Sequence, residues 1–303
     1  MKVLTLTIGD SEAASTRYRI VQYERFLKEN DIEIQYIHKD EIDTATVDLV
    51  KSVDVVLNQK CLFKTSTAKK ILAKSKRTVF DFDDAIWTRP GKPHSFLTRR
   101  RVCKRFHLWL KNADIVTTPN RYLAEYAEKY SSKVKTIPMS LDLQKWHPGE
   151  KVNDGLVRIG WAGSPGNLSY IKALEPVLKE LASRYDNLKI MIYCGEKPNL
   201  ECPFVYTPYK TGTEADFIRQ LDIGLLPLEN DEFERGKSPI KAIQYLSCGV
   251  TVVGNIHGAT SEILQPTNRR TKISKAGVAF VRKYHDIHSV EQQFVEALRG
   301  PFA

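Results

Sequence analysis

The segment LVRIGWAGSPGN, residues 156–167, decides the fold. It begins as an apolar run typical of a strand, ends in small residues, and opens onto SYIKALEPVLKELASRY (169–185), which has helical periodicity. Strand–turn–helix units of this kind build parallel sheets that are covered by helices on both faces. The same alternation already runs through the residues before position 148, so this segment starts it a second time. The chain is therefore predicted to be α/β, with two Rossmann-like, doubly wound parallel-sheet domains.

Predicted strands lie in both halves of the chain. They are KVLTLTI, IEIQYI, VDVVLN, TVFDF, DIVTT and KVKTI in the first half, and LVRIGWAG, LKIMIYCG, DIGLLPL and VTVVGN in the second. RYRIVQYERFLKEN (17–30) is typical of an amphipathic helix. The charged, Gly- and Pro-containing segment KWHPGEKVNDG (145–155) predicts a linker. The predicted boundaries are 1–148 and 149–285 for the domains and 286–303 for a C-terminal helix that packs back on the first domain.

Composition restricts the class of protein. The chain has 303 residues, of which 42% are hydrophobic and 27% charged, and no apolar run approaches the roughly 18 residues of a membrane-spanning helix. Its first residues predict a strand rather than a signal peptide. The five cysteines are scattered without paired CxxC spacing. This usage favours a reducing, cytoplasmic location and predicts neither a disulfide framework nor a zinc site.

Positive charge is concentrated in the first half. Residues 1–150 contain 27 Lys and Arg against 19 Asp and Glu. Such a surface suits nucleic acid, an anionic membrane or a phosphorylated ligand. The chain contains no GxGxxG, GxxxxGKS or GxSxG motif. Dinucleotide oxidoreduction and P-loop nucleotide hydrolysis therefore lose their main support in the sequence.

The stretch RTVFDFDDAIW (77–87) places Asp81, Asp83 and Asp84 at the end of a predicted strand. Strand alternation would put Asp81 and Asp83 on one side and turn Asp84 away. Carboxylates there can bind sugar hydroxyls, stabilise positive charge at an anomeric carbon, or accept a proton from a hydroxyl group. Two alternatives remain open: a divalent metal bound by Asp81-Phe-Asp83, which spells DxD, and a purely structural role in capping the loop.

Two turns are candidates for binding phosphate. In the first, Gly163 and Ser164 follow a strand and precede a helix, so their backbone amides can approach an anion. In the second, Arg235 and Lys237 precede a helix predicted from about Ser238 to Ser247, and a bound anion would explain cations beside its positive N-terminus. An ordinary strand-to-helix turn and a solvated basic loop are the respective alternatives.

Two basic segments have both functional and structural interpretations. Arg17 and Arg19 follow the first strand and are expected to contact a phosphate of the donor or acceptor, with ordinary surface arginines as the alternative. The helix within residues 94–111 combines basic and aromatic residues and is expected to lie on an anionic membrane. Its alternative is a helix whose apolar side is simply core. The expected membrane-facing residues are Arg99, Arg100, Arg101 and Trp109.

Six motifs together resemble the GT-B glycosyltransferases, specifically the retaining glycosyltransferase family 4 (group 1). The motifs are Ser11–Tyr23, VFDFDDAIW, ADIVTTPNRYLAEYA, VKTIPMSLDLQKW, RIGWAGSPGN and RGKSPIKAIQYLSCGVTVVG. The resemblance covers essentially the whole chain. It implies two domains facing across a cleft, with the nucleotide-sugar donor mainly on residues 149–285 and the acceptor mainly on residues 1–148.

The resemblance also implies roles for single residues. Gly163 and Ser164 match the loop that faces the donor diphosphate, and Lys237 matches a phosphate-binding residue. The two glutamates that the family places near the donor fall on Gly236 and Gln244, so only Gln244 offers a side chain that can bind the ribose. Asp83 stands where many members have a histidine facing the donor sugar. The Arg and Lys that many members carry on the strand before Gly163 are not evident here.

The sequence thus predicts a cytoplasmic hexosyl- or related glycosyltransferase of polysaccharide or glycolipid biosynthesis. It would move a sugar from a nucleoside diphosphate to a hydroxyl group of a sugar, a lipid-linked molecule or another acceptor. The transfer would retain the anomeric configuration and would require neither a metal nor another cofactor. The expected catalytic residues are Asp83, Asp84 and Lys237, and the expected donor-binding residues are Gly163, Ser164, Arg235, Lys237 and Gln244. Peripheral contact with an anionic membrane is expected and nucleic acid is not. The alternatives are a nucleotide-sugar epimerase of the same architecture and a non-catalytic membrane- or nucleic-acid-binding protein.

Overall fold

A computed structural model describes residues 1–264 and 270–300. The chain divides into two compact units, each with its own sheet. The first unit contains Met1–Met139, Asp231–Ser238 and residues 287–300. The second contains Ser140–Asn230 and Pro239–Asp286.

The strands are β1 (Lys2–Thr7), β2 (Glu33–His38), β3 (Val55–Gln59), β4 (Thr78–Asp81), β5 (Ile115–Thr118), β6 (Val134–Thr136), β7 (Val157–Ala162), β8 (Leu188–Cys194), β9 (Val205–Pro208), β10 (Ile223–Leu226) and β11 (Thr251–Gly254).

The α-helices are α1 (Ala14–Arg19), α2 (Glu24–Glu29), α3 (Thr44–Leu49), α4 (Thr65–Lys74), α5 (Phe96–Asn112), α6 (Arg121–Glu128), α7 (Leu168–Ala173), α8 (Glu175–Arg184), α9 (Glu214–Arg219), α10 (Glu232–Gly236), α11 (Ile240–Ser247), α12 (Thr260–Ile263), α13 (Arg270–Tyr284) and α14 (Ile287–Arg299).

Both sheets are parallel and change direction once in their strand order. The first unit has the order β2-β1-β3-β4-β5-β6, and the second has β11-β10-β7-β8-β9. The order therefore reverses beside β1 and β3 in the first unit and beside β7 and β10 in the second. In open parallel sheets, ligands bind at the carboxyl ends of the strands around such a reversal. Each unit thus has one edge where a site is expected.

All ten predicted strands are present, which confirms the two-sheet prediction. The sequence did not predict β9, because this edge strand has little apolar character and ends at Pro208. The predicted helix over 17–30 is interrupted. At Ile20 the backbone leaves the helical region, and a 3₁₀ turn at Val21–Tyr23 separates α1 from α2.

Alternating residues of the first sheet build a core on each of its faces. Val3 packs in the cluster that includes Tyr23 and Ile137, whereas the next residue, Leu4, packs with Phe80 on the opposite face. The first cluster also contains the buried face of α14, where Phe294 stacks on Tyr23 with ring centroids 5.0 Å apart. The C-terminal helix is therefore part of the first unit.

The observed unit boundaries differ from the predicted ones at 148/149 and 285/286. The main boundary follows Met139, because Leu141 donates its backbone N–H to the carbonyl of His285 and Trp146 is buried in the second unit. The second crossing lies one residue later than predicted, between Asp286 and Ile287. Residues 231–238, expected in the second domain, belong to the first unit. Packing determines these boundaries, whereas the sequence predicted a linker only from a Gly- and Pro-containing stretch.

A buried ion pair connects α1, β4 and β5 in the first unit. The Arg19 side chain donates hydrogen bonds to both carboxylate oxygens of Asp81, and Nη1 donates to the carbonyl of Ile137 at 2.7 Å. Thr117 donates its hydroxyl to the same carboxylate at 2.7 Å. Both charged side chains are only 1% exposed. Breaking such a pair leaves an uncompensated charge in the interior.

Replacement of Arg19 by Met is therefore expected to lower the free energy of unfolding by about 3–5 kcal/mol, because Asp81 keeps its charge without its partner. Denaturant unfolding of the purified chain measures this change. Arg25→Met is the control, since the Arg25 side chain is 92% exposed and its loss should change stability by no more than about 0.5 kcal/mol. Removing both charges, in R19M/D81N, should recover part of the loss. Equal stability of the Arg19 and Arg25 variants would contradict this account.

Candidate functional site

The carboxyl edge of the first sheet brings together the three carboxylates and one unexpected lysine. β3 ends at Gln59 and β4 ends at Asp81, and the two strands are hydrogen-bonded neighbours. Lys60 immediately follows β3, and Asp83 and Asp84 follow β4. Because parallel strands end at the same edge, all these side chains emerge at one place.

Lys60 binds both aspartates that follow β4. Its Nζ atom lies 2.6 Å from an oxygen of Asp83 and 2.8 Å from an oxygen of Asp84. It also donates to the hydroxyl of Ser15 at 2.7 Å. The side chains of Lys60 and Asp83 are largely buried, while that of Asp84 remains 23% exposed. Asp84 is therefore the carboxylate of this pair that a ligand reaches more readily.

The backbone of Lys60 is in the left-handed region, with φ of +46°. A lysine seldom adopts this conformation, because its Cβ atom crowds the backbone there. The Lys60 N–H donates to the carbonyl of Asp81 at 2.7 Å, which holds the turn beside β4. Strained backbone that persists is concentrated at functional sites. The turn places the ammonium group between the two carboxylates.

Burial and charge shift the pKa values of this cluster in different directions. Burial alone would raise the pKa of Asp83, but Lys60 outweighs it and holds this pKa below its ordinary value. For Asp84, burial raises the pKa above its ordinary value, and Lys60 offsets only part of that rise. Burial opposes the charge on Lys60, yet the two carboxylates raise its pKa above the ordinary value. The neighbouring carboxylates thus differ, with Asp83 the stronger acid.

The predicted arrangement of the three carboxylates was wrong in its orientation. Asp84 is not turned away from Asp83, because β4 ends at Asp81 and strand alternation no longer applies after it. Asp81 instead binds Arg19, so the two carboxylates of the DxD sequence bind different cations of the chain. Among residues 1–264 and 270–300, no group of three or more His, Cys, Asp or Glu side chains is arranged to hold a metal ion.

Arg19 is not a surface residue, which corrects the prediction that it contacts a phosphate. It lies on the inner side of α1, where the buried carboxylate of Asp81 requires a positive partner. Arg17, two residues earlier in α1, is half-buried, and its guanidinium lies over the ring of Tyr18 at 4.8 Å from the centroid. Of the two arginines, only Arg17 retains surface that a ligand can contact.

Lys237 and Arg235 do not precede a helix N-terminus directly. Arg235 lies in the last turn of α10 and is exposed, and Lys237 is the C-cap residue that follows this helix. The next helix, α11, begins at Ile240, two residues later than predicted, with Pro239 rather than Ser238 at its N-cap position. Lys237 binds the buried carboxylate of Glu234 at 3.1 Å. Its ammonium group is also close enough to Asp84 to lower the pKa of that carboxyl, although the net shift of Asp84 is upward.

Glu232 anchors the segment 231–238 to the first unit. Its carboxylate accepts a hydrogen bond from the indole of Trp87 at 2.7 Å and forms an ion pair with Arg99 at 3.2 Å. Asn120 donates from its side-chain amide to the carbonyl of Gly236 at 3.3 Å. A Cβ atom at Gly236 would lie 2.9 Å from the Cβ of Ala85, which leaves no room for a side chain. Packing against Ala85 therefore requires a glycine at position 236.

In the second unit, the turn after β7 lies at the reversal of the strand order. Ser164 is exposed and caps a 3₁₀ turn at Pro165–Asn167, which leads into α7. The Gly163 N–H donates to the carbonyl of Tyr193 at 3.1 Å. This amide is therefore not available to an anion as predicted. A Cβ atom at Gly163 would lie 2.2 Å from the ring of Trp161, so glycine is required for packing.

Gln244 is fully buried within α11. In this position its side chain meets no solvent, which does not support the predicted contact with a ribose.

Two side chains that follow β11 bind the chain that follows β10. Asn255 donates to the carbonyl of Leu228 at 2.5 Å, and a ring nitrogen of His257 lies 2.6 Å from the carbonyl oxygen of Glu229.

The expected membrane-facing residues separate into buried and exposed groups. Trp109 is completely buried and stacks on Phe80 at 5.6 Å between ring centroids, so its assignment was wrong. Arg99 is engaged with Glu232. Arg100 and Arg101 are exposed. In the part of the chain that the structure describes, no helix is both long and apolar enough to cross a bilayer.

The sequence analysis did not identify Lys60 or Glu232 as site residues. Lys60 stands 23 and 24 positions before its two partners, and nothing around it has the form of a motif. A signal did exist, because three clustered carboxylates after a buried strand require cations nearby. Glu232 lies in an acidic loop sequence, and its contact with Trp87 spans 145 positions.

The chain resembles TuaH of Bacillus subtilis (strain 168) in sequence, which its name assigns to teichuronic acid biosynthesis as a glycosyltransferase. The two are 22% identical over 213 residues, which make up 63% of this chain and 53% of TuaH. The match thus spans about half the length of this relative. No family model matches the chain.

Solved glycosyltransferase structures match nearly the whole chain. Anabaena Alr3699/HepE in complex with UDP-glucose has a TM-score of 0.65 at 12% identity, over 99% of both chains. An alpha-glucosyltransferase, AGT, in complex with UDP has a TM-score of 0.64 at 9% identity, again over 99% of both chains. These likenesses, with the two parallel sheets, confirm the predicted fold class: the chain has a GT-B fold.

The alpha-glucosyltransferase has also been solved with UDP and a 13-mer DNA that contains an HMU base, and that structure has a TM-score of 0.58 at 10% identity. A protein of this fold therefore binds DNA. This finding counts against the expectation that nucleic acid is excluded as a partner.

Gly236→Ala tests the docking of residues 231–238. The added methyl group would overlap Ala85 and Leu123, so we expect a loss of about 1–3 kcal/mol in stability, together with faster proteolysis within this segment. Gly166→Ala is the control, because nothing lies within 4 Å of a Cβ atom there. Denaturant unfolding and limited proteolysis measure the two effects. Unchanged proteolysis in Gly236→Ala would mean that the close packing does not hold the segment.

Proposed function

We propose that this chain is a retaining glycosyltransferase of family 4, which moves a hexosyl or related group from a nucleoside diphosphate to an acceptor hydroxyl. The observation that carries the proposal is the Lys60–Asp83–Asp84 cluster at the carboxyl edge of a sheet. This edge belongs to a chain whose fold matches proteins solved with UDP-glucose and UDP. We therefore propose a UDP-sugar as the donor.

Asp84 is the proposed acceptor of the hydroxyl proton. The acceptor oxygen forms a bond to the anomeric carbon on the same face from which the diphosphate leaves, so the configuration is retained as the bond to the diphosphate breaks. The hydroxyl proton passes to Asp84. Two observations support this role: Asp84 is the more exposed carboxylate, and burial raises its pKa. A carboxylate with a raised pKa is a stronger base at neutral pH. Asp83 and Lys60 would hold it in place and stabilise positive charge on the sugar.

Lys237 is the proposed cation for the departing diphosphate, with Arg235 as a second candidate. Glu234 binds the Lys237 ammonium group and so limits its positions. We propose that charge neutralisation by these side chains makes a metal unnecessary. This part of the proposal is supported by the engagement of Asp81 with Arg19 and of Asp83 with Lys60. In the second unit, Ser164 in its exposed turn is the proposed contact for the nucleotide.

The proposal includes an acceptor class and a location. TuaH is assigned by its name to teichuronic acid biosynthesis, which favours a polysaccharide or lipid-linked acceptor. All five cysteines have free thiols, which favours the reducing cytoplasm. We also propose peripheral contact with the inner face of the membrane.

Incubation of the chain with UDP-sugars and a panel of hydroxyl acceptors tests the activity. We expect release of UDP and a product that requires the acceptor, with the anomeric configuration of the donor as determined by NMR. Addition of a chelator should leave the rate unchanged. An epimerised donor in the absence of acceptor would assign the chain to the epimerases, and inversion in the product would remove it from family 4.

The roles of Lys60 and Asp84 predict a specific pH dependence. Transfer should decline as pH falls through the pKa of Asp84, because a protonated carboxyl cannot accept the hydroxyl proton. Lys60→Met should move this decline to higher pH, since Lys60 lowers that pKa. Asp84→Asn should lower kcat by about 10²–10⁴-fold and abolish the decline. Lys64→Met, at an exposed position, is the matched control. An unshifted profile in Lys60→Met would contradict the proposed coupling.

Lys237→Ala tests the diphosphate contact. A charge-assisted hydrogen bond contributes about 1.5–3 kcal/mol, so the variant should bind UDP about ten- to a hundredfold more weakly. Binding of uridine should change little, because uridine carries no phosphate. Transfer should fall at least as far as UDP binding, since charge grows on the leaving group in the transition state. Isothermal titration with both ligands measures the difference, and equal loss for UDP and uridine would show that Lys237 does not act on phosphate.

A further inference from the structure

Two large apolar side chains are exposed side by side at the start of α5. Phe96 is 77% exposed and Leu97 is 75% exposed. These are the two highest values among the large hydrophobic residues that the structure describes. Adjacent exposed apolar side chains rimmed by polar residues are typical of a surface that binds a membrane or another macromolecule.

The surroundings of this apolar pair are cationic. Residues 85–113 contain eight Lys and Arg and no Asp or Glu. On α5, the exposed cations Arg100, Arg101 and Lys104 follow Leu97 at helical spacing, so they share its face. In the described part of the chain, none of these three forms an ion pair with a carboxylate. A groove of about 400 Å³ extends this face and is lined by Lys69, Lys104 and Lys111 among others.

The opposite side of α5 is fixed in the core of the first unit. Phe106, Trp109 and Leu110 are completely buried there. The helix therefore cannot rotate to hide its exposed face. Arg99 points to a different side, where it binds Glu232. The same residues of α5 therefore remain exposed together. We name them the α5 surface: Phe96, Leu97, Arg100, Arg101 and Lys104.

We propose that the α5 surface binds an anionic lipid bilayer, with Phe96 and Leu97 entering the boundary between headgroups and acyl chains. The three cations would then lie at the level of the lipid phosphates. Charge complementarity selects an anionic partner, and the apolar pair selects a bilayer over nucleic acid, whose phosphates would engage the cations but offer nothing to Phe96 and Leu97. This inference deepens the membrane location included in the proposed function and identifies the residues that would provide it.

Cosedimentation of the full chain with vesicles tests the inference. Vesicles of equal parts phosphatidylglycerol and phosphatidylcholine are compared with vesicles of phosphatidylcholine alone, at low and high salt. Phe96→Ser/Leu97→Ser removes the apolar pair, and Arg100→Gln/Arg101→Gln removes two cations. The control is Val177→Ser/Tyr185→Ser, which removes two half-exposed apolar side chains of the second unit, one in α8 and one directly after it. Binding to duplex DNA is measured for the same set.

We expect the parent chain to bind the anionic vesicles and not the neutral ones. Each cation removed should weaken binding about fivefold at low salt, which corresponds to about 1 kcal/mol. Removal of Phe96 and Leu97 should weaken binding at both salt concentrations, because insertion of apolar side chains is not screened. The control variant should bind like the parent.

Three outcomes would overturn the inference: no binding to anionic vesicles, binding unaffected by the Phe96/Leu97 variant, or loss of DNA binding in the Arg100/Arg101 variant without loss of vesicle binding. An assay of sugar transfer to a soluble acceptor tests the proposed function independently of membrane binding. The Phe96/Leu97 variant should retain this transfer, because neither residue is placed at the reacting edge. Vesicle binding without any transfer would reject the glycosyltransferase proposal and keep the α5 surface.

Discussion

Three carboxylates within four positions at the end of a buried strand can coexist only if cations are brought to them. The chain supplies one from each side: Arg19 from α1 for Asp81, and Lys60 from the turn after β3 for Asp83 and Asp84. Lys60 directly follows β3, which is the hydrogen-bonded neighbour of β4, whereas Arg19 is the last residue of α1. Loss of either would leave charge in the interior without compensation, which is among the most destabilising changes known in proteins. The architecture of this edge therefore follows from the need to pair buried charge.

The two charge clusters at this edge, Arg19 with Asp81 and Lys60 with Asp83 and Asp84, are not equivalent. The pair of Arg19 and Asp81 is closed to solvent; Thr117 donates a hydrogen bond to Asp81, and Arg19 donates one to the carbonyl of Ile137. Lys60 instead divides its charge between two carboxylates, so neither is fully neutralised. The consequence is an asymmetry between neighbours: the pKa of Asp83 is lowered and that of Asp84 is raised. Neighbouring carboxyl groups whose pKa values move apart are characteristic of sites that assign acid and base roles.

Much of the fold was predictable because it depends on periodicity, whereas the site depends on contacts between distant residues. The apolar runs of β1 to β8, β10 and β11 identified their strands, and only the weakly apolar β9 was missed. The same patterns could not show that Lys60 would meet Asp83, or that Arg19 would turn inward rather than outward. Trp109 is an example. The sequence of a basic aromatic helix does not show whether its tryptophan faces lipid or the core; the stacking of Trp109 on Phe80 shows that it faces the core. The boundary at Met139 likewise depends on a hydrogen bond between Leu141 and His285, which lie far apart in the sequence.

Helix α5 connects the features of the first unit that the sequence left separate. One side, with Trp109 and Phe106, completes the core beneath β4, whose end carries the carboxylates. A second side, through Arg99, binds Glu232 and so holds the segment 231–238, which contains Lys237. The remaining side carries the α5 surface. A rigid helix of about 25 Å thus ties the proposed membrane contact to the proposed reacting groups through packed and charge-paired side chains. Because all three contacts belong to the same unit, a bilayer bound at α5 would fix the orientation of the carboxylate edge relative to the lipid surface. A lipid-linked acceptor would then reach Asp84 from a defined direction, which is the geometric requirement for transfer to a single hydroxyl group.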